Sequence, residues 1–357
     1  FRWLEKCSQG HYPSVRRKIV LHVVQSLHFG GVESHMRIIA NYAELSQFEH
    51  RFCAIAGGGA IEEEITAKGR VVSVLNRSSH IPSLSAVMAL MRTIRSHCPD
   101  IVHTHGAEAN FHGLIAARIC RIPVCVAEEI GFPIHSFRAR VVFKLVYKLA
   151  DAVVAISEAV RQKVIELGET KSHRSFVLLN PINIQPERTA IGRSEVFEIG
   201  FVGRLEAIKN PLALVHAVAI LRDRGLSLRL TIVGDGSQQA ALEAEVAQLG
   251  LQGIVDFKGY VSEPFRYLSG ISLYVQPSLS EGFGLALAEA MSAGIPVLAT
   301  AVGGTPEIIS DGESGWLLSG TDPETIANQI GVLAAMDKAK LDAIGKCGRN
   351  FVIERFS

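Results

Sequence analysis

The chain has 357 residues, more than one hydrophobic core usually serves, so two domains are expected, each large enough to bury its own interior. Hydrophobic residues make up 48% and charged residues 20%, which excludes a disordered chain and suits α/β domains with buried parallel strands. The net charge of +1 hides a split: residues 1–190 carry 23 Lys and Arg against 16 Asp and Glu, a net +7, and residues 191–357 carry 13 against 19, a net −6.

Residues 1–17 show no period and read as an extension before a first strand at 18–24. The turn that follows carries Gly30-Gly31 and opens a helix running to about Glu44. It lacks the GxGxxG spacing of a dinucleotide site, so no nicotinamide cofactor is expected. Strands at 51–56, 71–75, 100–105, 124–127 and 152–156 alternate with helical stretches, the pattern of a doubly wound sheet. Gly57-Gly58-Gly59 reads as a loop without chemistry of its own. In 100–105, period-two alternation sets His103 and His105 on one face, with His105 at the carboxyl end of the strand, facing a cleft. His103 reads as a hydrogen-bonded core residue. Glu128-Glu129 reads as a solvated loop pair, or as a contact to an acceptor.

A helix over 137–150 gathers Val142, Leu145, Val146 and Leu149 on one side and Arg140, Lys144 and Lys148 on the other, with Phe143 and Tyr147 bordering the basic stripe. With the +7 of the first half, this suggests an anionic membrane surface or a lipid-linked acceptor, the alternative being a solvated polar face on a core helix. Nothing in the pattern calls for nucleic acid. No apolar run reaches the ~18 residues of a membrane-spanning helix. The six cysteines have neither CxxC nor zinc spacing and read as reduced and mostly buried.

Residues 176–182 lead out of the first domain and the polar stretch 185–195 is the candidate linker. A strand then ends at Gly203, and Asn210 is expected to cap a helix that starts at Pro211. Arg204 and Lys209 flank this loop and can balance the roughly two negative charges of a diphosphate, Arg204 by its fork and Lys209 as a point charge. Gly234-Asp235-Gly236 reads as a turn near the same sheet edge. The most informative stretch is 280–289, a glycine-punctuated turn between a strand at 271–276 and a helix from Leu285 to Ala293. Its main-chain N–H groups suit a phosphate, whereas Glu281 and Glu289 would repel one and are better employed accepting from hydroxyls on either side of it. Phosphate between two hydroxyl-bearing groups describes a nucleotide-sugar.

With these blocks the chain resembles the family 4 glycosyltransferases, retaining enzymes of the GT-B fold: a Gly-Arg-Leu loop ending in Lys209, then Glu281, seven residues and Glu289. The resemblance extends through 232–236, 257–261 and 303–308, nearly all of the second half. It implies an α/β chain of two Rossmann-like doubly wound domains facing a central cleft, an acceptor-binding domain at 1–190 and a nucleotide-sugar-binding domain at 191–357. It implies that Glu281 holds donor-sugar hydroxyls and Glu289 the ribose, while Gly282, Phe283, Gly284 and Leu285 bring main-chain amides to the sugar or phosphate. Gly203, Gly234, Tyr260 and Val261 would meet the nucleotide. Gly30-Gly31 would close over the donor phosphates, Gly31 also touching the acceptor. His105 would contact the transferred sugar, and Glu128 the acceptor. The catalytic set is then His105, Glu281, Arg204 and Lys209.

The expected reaction moves a sugar from a nucleoside diphosphate, UDP foremost, to a hydroxyl of a glycan or lipid-linked acceptor, at the inner face of the plasma membrane or in the cytoplasm. The nucleotide-sugar is a substrate, so no cofactor is expected. No metal is expected either, because no Asp-x-Asp sequence is present and Arg204 with Lys209 can neutralise the diphosphate. The alternatives are a sugar-nucleotide epimerase or phosphorylase on the same fold, and a non-catalytic nucleotide-sugar-binding partner. In the resembled family a final helix crosses back onto the first domain; the second domain here is read to about Gly345, with the chain stopping where such a helix would begin.

Overall fold

The strands form two parallel sheets in a computed structural model that describes residues 17–28, 30–188, 196–261, 263–268 and 270–356. Most of the expected extension, Cys7 and the linker residues 189–195, with the boundary at 190, lie outside the described residues. The first sheet has β1 (Lys18–Ser26), β2 (Phe48–Gly57), β3 (Val72–Val74), β4 (Ile101–His105), β5 (Val124–Glu129), β6 (Ala152–Ala155) and β7 (Ser175–Val177), in the order β3-β2-β1-β4-β5-β6-β7. Its helices are α1 (Gly31–Tyr42), α2 (Ala60–Ala67), α3 (Leu84–His97), α4 (Ala107–Ile119), α5 (Phe137–Val146) and α6 (Glu158–Glu166). The second sheet has β8 (Phe197–Val202), β9 (Leu228–Val233), β10 (Val255–Phe257), β11 (Leu273–Gln276), β12 (Val297–Thr300) and β13 (Trp316–Leu318), in the order β10-β9-β8-β11-β12-β13. Its helices are α7 (Pro211–Asp223), α8 (Gln239–Gln248), α9 (Leu285–Ser292), α10 (Thr305–Ile308), α11 (Pro323–Ala334) and α12 (Lys338–Phe356).

Helices cover both faces of each sheet, which is why central strands such as β1 are buried along most of their length rather than on alternate residues. In each sheet the strand order reverses beside the first strand, between β1 and β4 and between β8 and β11, and the cleft opens at these two switch points. One apolar cluster runs through both domains and includes Ile156 of the first with Phe283, Ile308 and Phe356 of the second. A separate cluster fills the far side of the second domain around Leu214, Leu230 and Ile330.

Several elements differ from expectation. Asn210 precedes Pro211 as expected but makes no cap: it sits in the left-handed region at φ 54° and its side chain donates to Thr321 O at 2.9 Å. The chain does not stop where a crossing helix would begin: α12 runs unbroken from Lys338 past Gly345 to Phe356, whose ring meets Phe283 edge-on at 5.2 Å and whose carbonyl accepts from Ile182 N at 3.3 Å. Of the cysteines, Cys53 and Cys125 are buried but Cys98 and Cys347 are exposed.

Helix α5 is rotated from the expected orientation. Phe143 and Tyr147, assigned to the border of an exposed basic face, are buried in the core with Val146, while Val142 and Leu145 point outward. The reason is packing: Phe143 stacks on His135 at 4.5 Å, and the Tyr147 hydroxyl donates to buried Glu129. Arg140 leaves the basic stripe as well, donating from Nε to Leu167 O at 3.0 Å. The exposed ridge is Ile134, Phe137, Val141 and Leu145, up to 81% accessible, flanked by exposed Arg138, Lys144 and Lys148.

Candidate active site

Between the two domains lies a cleft of about 1060 Å³. The second domain contributes Gly203, Arg204 and Lys209 after β8, Gly234 after β9, Tyr260 and Val261 after β10, and Glu281, Phe283, Gly284, Leu285 and Glu289 around the start of α9. The first domain contributes Gly30, Gly31, His35 and Arg37 from α1, with Ile130 and Ile156. Chain segments far apart in sequence converge because each follows the carboxyl end of a parallel strand. Gly234, at φ 141°, is required where it stands: a Cβ there would lie 1.9 Å from Gly203 O, so the two loops touch main chain to main chain.

Lys209 Nζ donates to Glu281 Oε2 at 2.6 Å, and the same oxygen accepts from Gln276 Nε2 at 2.9 Å and Ser278 Oγ at 3.4 Å. The carboxylate is thereby oriented before any ligand arrives. Arg204 is exposed to the cleft and makes no ion pair among the described residues. Glu289 lines the cleft and is half-buried; burial pushes its carboxyl up to about 7, opposed by the charge of Arg37 and the main-chain N–H of Asn183. Gly284 holds φ 102° at the start of α9, leaving the first N–H groups of that helix toward the cleft, and α1 starts opposite it, with the Gly31 position 3.5 Å from Leu285. Two helix N-termini, an arginine and a lysine thus surround a space flanked by two carboxylates, an arrangement that can hold a diphosphate between two polyhydroxyl groups.

Three expected contacts lie elsewhere. Gly282 is not a wall of the cleft; a Cβ there would meet Ile156 Cδ1 at 2.9 Å and Ile130 O at 3.1 Å, so it serves the close approach of the domains. His105 does not face the cleft. It is buried behind His35, whose ring it meets edge-on at 6.0 Å, and its Nδ1 is hydrogen-bonded to Glu128. Glu128, with Glu129, is buried on β5 rather than forming a solvated loop pair, because β5 runs two residues further than its apolar run indicated.

From Glu128 a hydrogen-bonded chain crosses the sheet through His105, His22, His50 and Ser46, with steps of 3.0, 2.9 and 2.8 Å beyond His105. A carboxylate only accepts, so His105 Nδ1–H donates to it, His22 Nδ1–H to His105, His50 Nδ1–H to His22, and the Ser46 hydroxyl to His50. Burial pushes His105 and His103 down to about 3 and His35 to about 4, keeping them neutral. The Nε2 of His103, expected to be hydrogen-bonded, has no hydrogen-bond partner among the described residues and stops 3.4 Å from Glu128. The groups His22, His103 and His105, and His35, His105 and Glu128, are the ones among the described residues that bring metal-ligand atoms within 4.8 Å of one another. Both ring nitrogens of His105 are already committed within the chain.

The cleft residues that sequence reasoning missed include His35 and Arg37. His35 carried a legible signal, since it stands four positions after Gly31 on the same helix face. Arg37 carried none.

Residues 29–186 match the family described as Glycosyltransferase Family 4, and residues 185–350 the family described as Glycosyl transferases group 1. The D-inositol 3-phosphate glycosyltransferase of Streptomyces scabiei is 29% identical over 280 residues, covering 69% of this chain and 63% of that protein, so the match falls short of two thirds of that relative's length. The UDP-Gal:alpha-D-GlcNAc-diphosphoundecaprenol alpha-1,3-galactosyltransferase of Escherichia coli is 24% identical, covering 80% of this chain and 79% of that one. Among solved structures, HepE of Anabaena in complex with UDP and glucose superposes with a TM-score of 0.81 at 24% identity, covering 95% of each chain.

Proposed function

Because the chain belongs to the family 4 glycosyltransferases and has the GT-B fold, we propose that it transfers a sugar from a nucleoside-diphosphate sugar, a UDP-sugar, to a hydroxyl of a glycan or lipid-linked acceptor, with retention at the anomeric carbon. The observation that carries this reading is the gathering of Arg204, Lys209, Glu281 and Glu289 on one wall of the interdomain cleft. UDP and glucose bound to HepE, and the undecaprenol-linked substrate named for the E. coli relative, support the donor and acceptor classes.

In this reading Glu289 accepts from ribose hydroxyls and Glu281 from hydroxyls of the transferred sugar. Arg204, Lys209 and the first N–H groups of α9 stabilise negative charge as it develops on the departing diphosphate, the largest contribution the protein can make. The leaving phosphate oxygen, as its bond to the anomeric carbon breaks, takes the acceptor proton while the new bond forms on the same face. Closure of the two domains aligns donor and acceptor and excludes water. The positive charges on the protein make a metal ion unnecessary for this step.

Among the described residues no helix is long and apolar enough to cross a membrane. The exposed ridge of α5 with Arg138, Lys144 and Lys148 supports peripheral docking on an anionic bilayer, where a lipid-linked acceptor would be met. The transfer reading is tested by incubating the protein with a panel of UDP-sugars and measuring UDP release with and without lipid-linked glycan acceptors. Acceptor-dependent release with an α-configured product from an α-configured donor is expected; no release from any donor would overturn it.

A further inference from the structure

The main-chain N–H groups of Glu158 and Ala159, at the start of α6 in the first domain, donate to the carboxylate of Glu307 on α10 of the second, at 2.9 and 2.8 Å. Helix α6 already has a cap of its own, Ser157, whose Oγ accepts from Val160 N at 3.2 Å. Glu307 therefore satisfies two further orphan donors from across the domain boundary and sets a negative charge on the positive end of the helix dipole.

The same carboxylate is tied to the donor loop. Gly304 N donates to Glu281 O at 3.0 Å and Glu307 N to Gly304 O at 3.0 Å. At Gly303, φ 54°, a Cβ would lie 1.8 Å from Glu281 O, and at Gly304 a Cβ would lie 3.0 Å from Ser157 Cβ. The loop that carries Glu281 into the cleft is thus packed, main chain on main chain, against the segment that grips α6. Glu307 does not line the cleft.

We propose that Glu307 is a positioning residue, an interdomain clamp that seats the first domain on the donor loop in the closed state. Opening the domains strips two hydrogen bonds from α6 and leaves Glu307 in solvent, so closure is favoured by a contact that no substrate atom makes. Because the clamp is anchored beside Glu281, it fixes the distance between the donor site and the first-domain wall at His35 and Gly31. Its kinetic consequence rests on the transfer reading above; its effect on shape does not.

The test uses the full chain and two variants that break the contact from opposite sides. Glu307→Ala removes the acceptor. Glu158→Pro removes one donor at the first helical position, where proline suits a helix and where Ser157, at φ −155° and ψ 162°, tolerates a following proline. Small-angle X-ray scattering, without ligand and with UDP, is expected to show a compact wild type and a longer maximum dimension in both variants. Their kcat should fall about tenfold or more, as expected when reacting groups lose alignment, while UDP affinity changes less than about threefold. In the double variant the losses should be less than multiplicative, since both changes break one contact. Scattering by Glu307→Ala identical to wild type, or fully multiplicative losses in the double variant, would overturn the clamp. If no sugar transfer is found yet the variants open, the clamp stands and the transfer reading falls; if transfer is found and both variants scatter as wild type, only the clamp falls.

Discussion

Glu281 and Lys209 lie 72 residues apart in sequence and meet at 2.6 Å in the interdomain cleft, each side chain largely shielded from solvent. The pair joins the loop after β8 to the start of α9, so the residue expected to bind phosphate and the residue expected to bind sugar hold each other in place.

Lys209→Ala therefore removes the counter-charge of Glu281 and, on the proposed reading, a phosphate partner. With charge-assisted hydrogen bonds contributing about 1.5–3 kcal/mol, kcat/KM for the donor should fall roughly 10- to 150-fold. The double variant with Glu281→Gln should lose less than the product of the single losses, because the two side chains interact directly. Steady-state kinetics on folded variants checks both statements, and unchanged donor use by Lys209→Ala would remove it from the site.

On the proposed ribose contact, Glu289 would give donor binding a pH dependence. Accepting two hydroxyls requires the ionised carboxylate, and burial holds that carboxyl at about 7 in the empty cleft. The affinity for a UDP-sugar, whose phosphates do not titrate in this range, should rise between pH 6 and pH 8 by up to about tenfold, then level off. The sign for stability is the reverse: a carboxyl whose folded value exceeds its unfolded 4.5 loses stability as pH rises from there through about 7. Glu289→Gln should bind more weakly at pH 8 and show a flat profile. A wild-type profile that is flat from 6 to 8 would contradict the assignment.

His105 was expected to act on the transferred sugar, and its position assigns it a different first consequence. His105→Ala leaves Glu128 and His22 without their shared partner in the core, a loss of about 2–4 kcal/mol by the usual cost of buried unsatisfied groups. Thermal melting should show it, with UDP affinity near wild type because the proposed nucleotide wall is on the other domain. An unchanged melting temperature would mean that the histidine chain contributes nothing to the fold.

The sequence made the two-domain alternation of strands and helices readable because parallel strands buried on both faces are continuous apolar runs closed by glycine turns. It made the second-domain wall readable for a related reason: Arg204 and Lys209 lie in the loop after β8, and Glu281 and Glu289 lie in the turn after β11 and the helix it opens. What stayed hidden depends on rotation and depth. One turn of a helix carries no mark of which apolar residue faces inward, so the expected apolar side of Val142, Leu145, Val146 and Leu149 includes two exposed residues and leaves out the buried Phe143 and Tyr147. Alternation along β4 placed His105 on the correct strand end but could not show that His35, from another element, stands in front of it. Glu307 was part of a recognised block, yet its partners are main-chain N–H groups about 150 residues earlier, which leave no trace in residue type.

The rotation of α5 changes which residues should meet a membrane. Lys144 and Lys148 stay in the basic set, Arg138 replaces Arg140, and the apolar ridge is Phe137, Val141 and Leu145. With each basic residue contributing about 1 kcal/mol near an anionic surface, Arg138, Lys144 and Lys148 changed together to Glu should release the protein from phosphatidylglycerol vesicles at low salt. Phe137→Ser with Leu145→Ser should weaken binding even when charge is unchanged. Co-sedimentation in which the wild type does not bind would leave a soluble acceptor as the better reading.

The central claim is that the second-domain wall binds a nucleoside diphosphate through its own cations, and calorimetric titration of UDP in buffer containing EDTA tests it most directly. The account predicts one site per chain in the wild type, affinity lowered roughly 10- to 150-fold by Lys209→Ala, and no change when magnesium or manganese replaces the chelator. Binding that appears only with a divalent ion, or that is equal in wild type and Lys209→Ala, would contradict it.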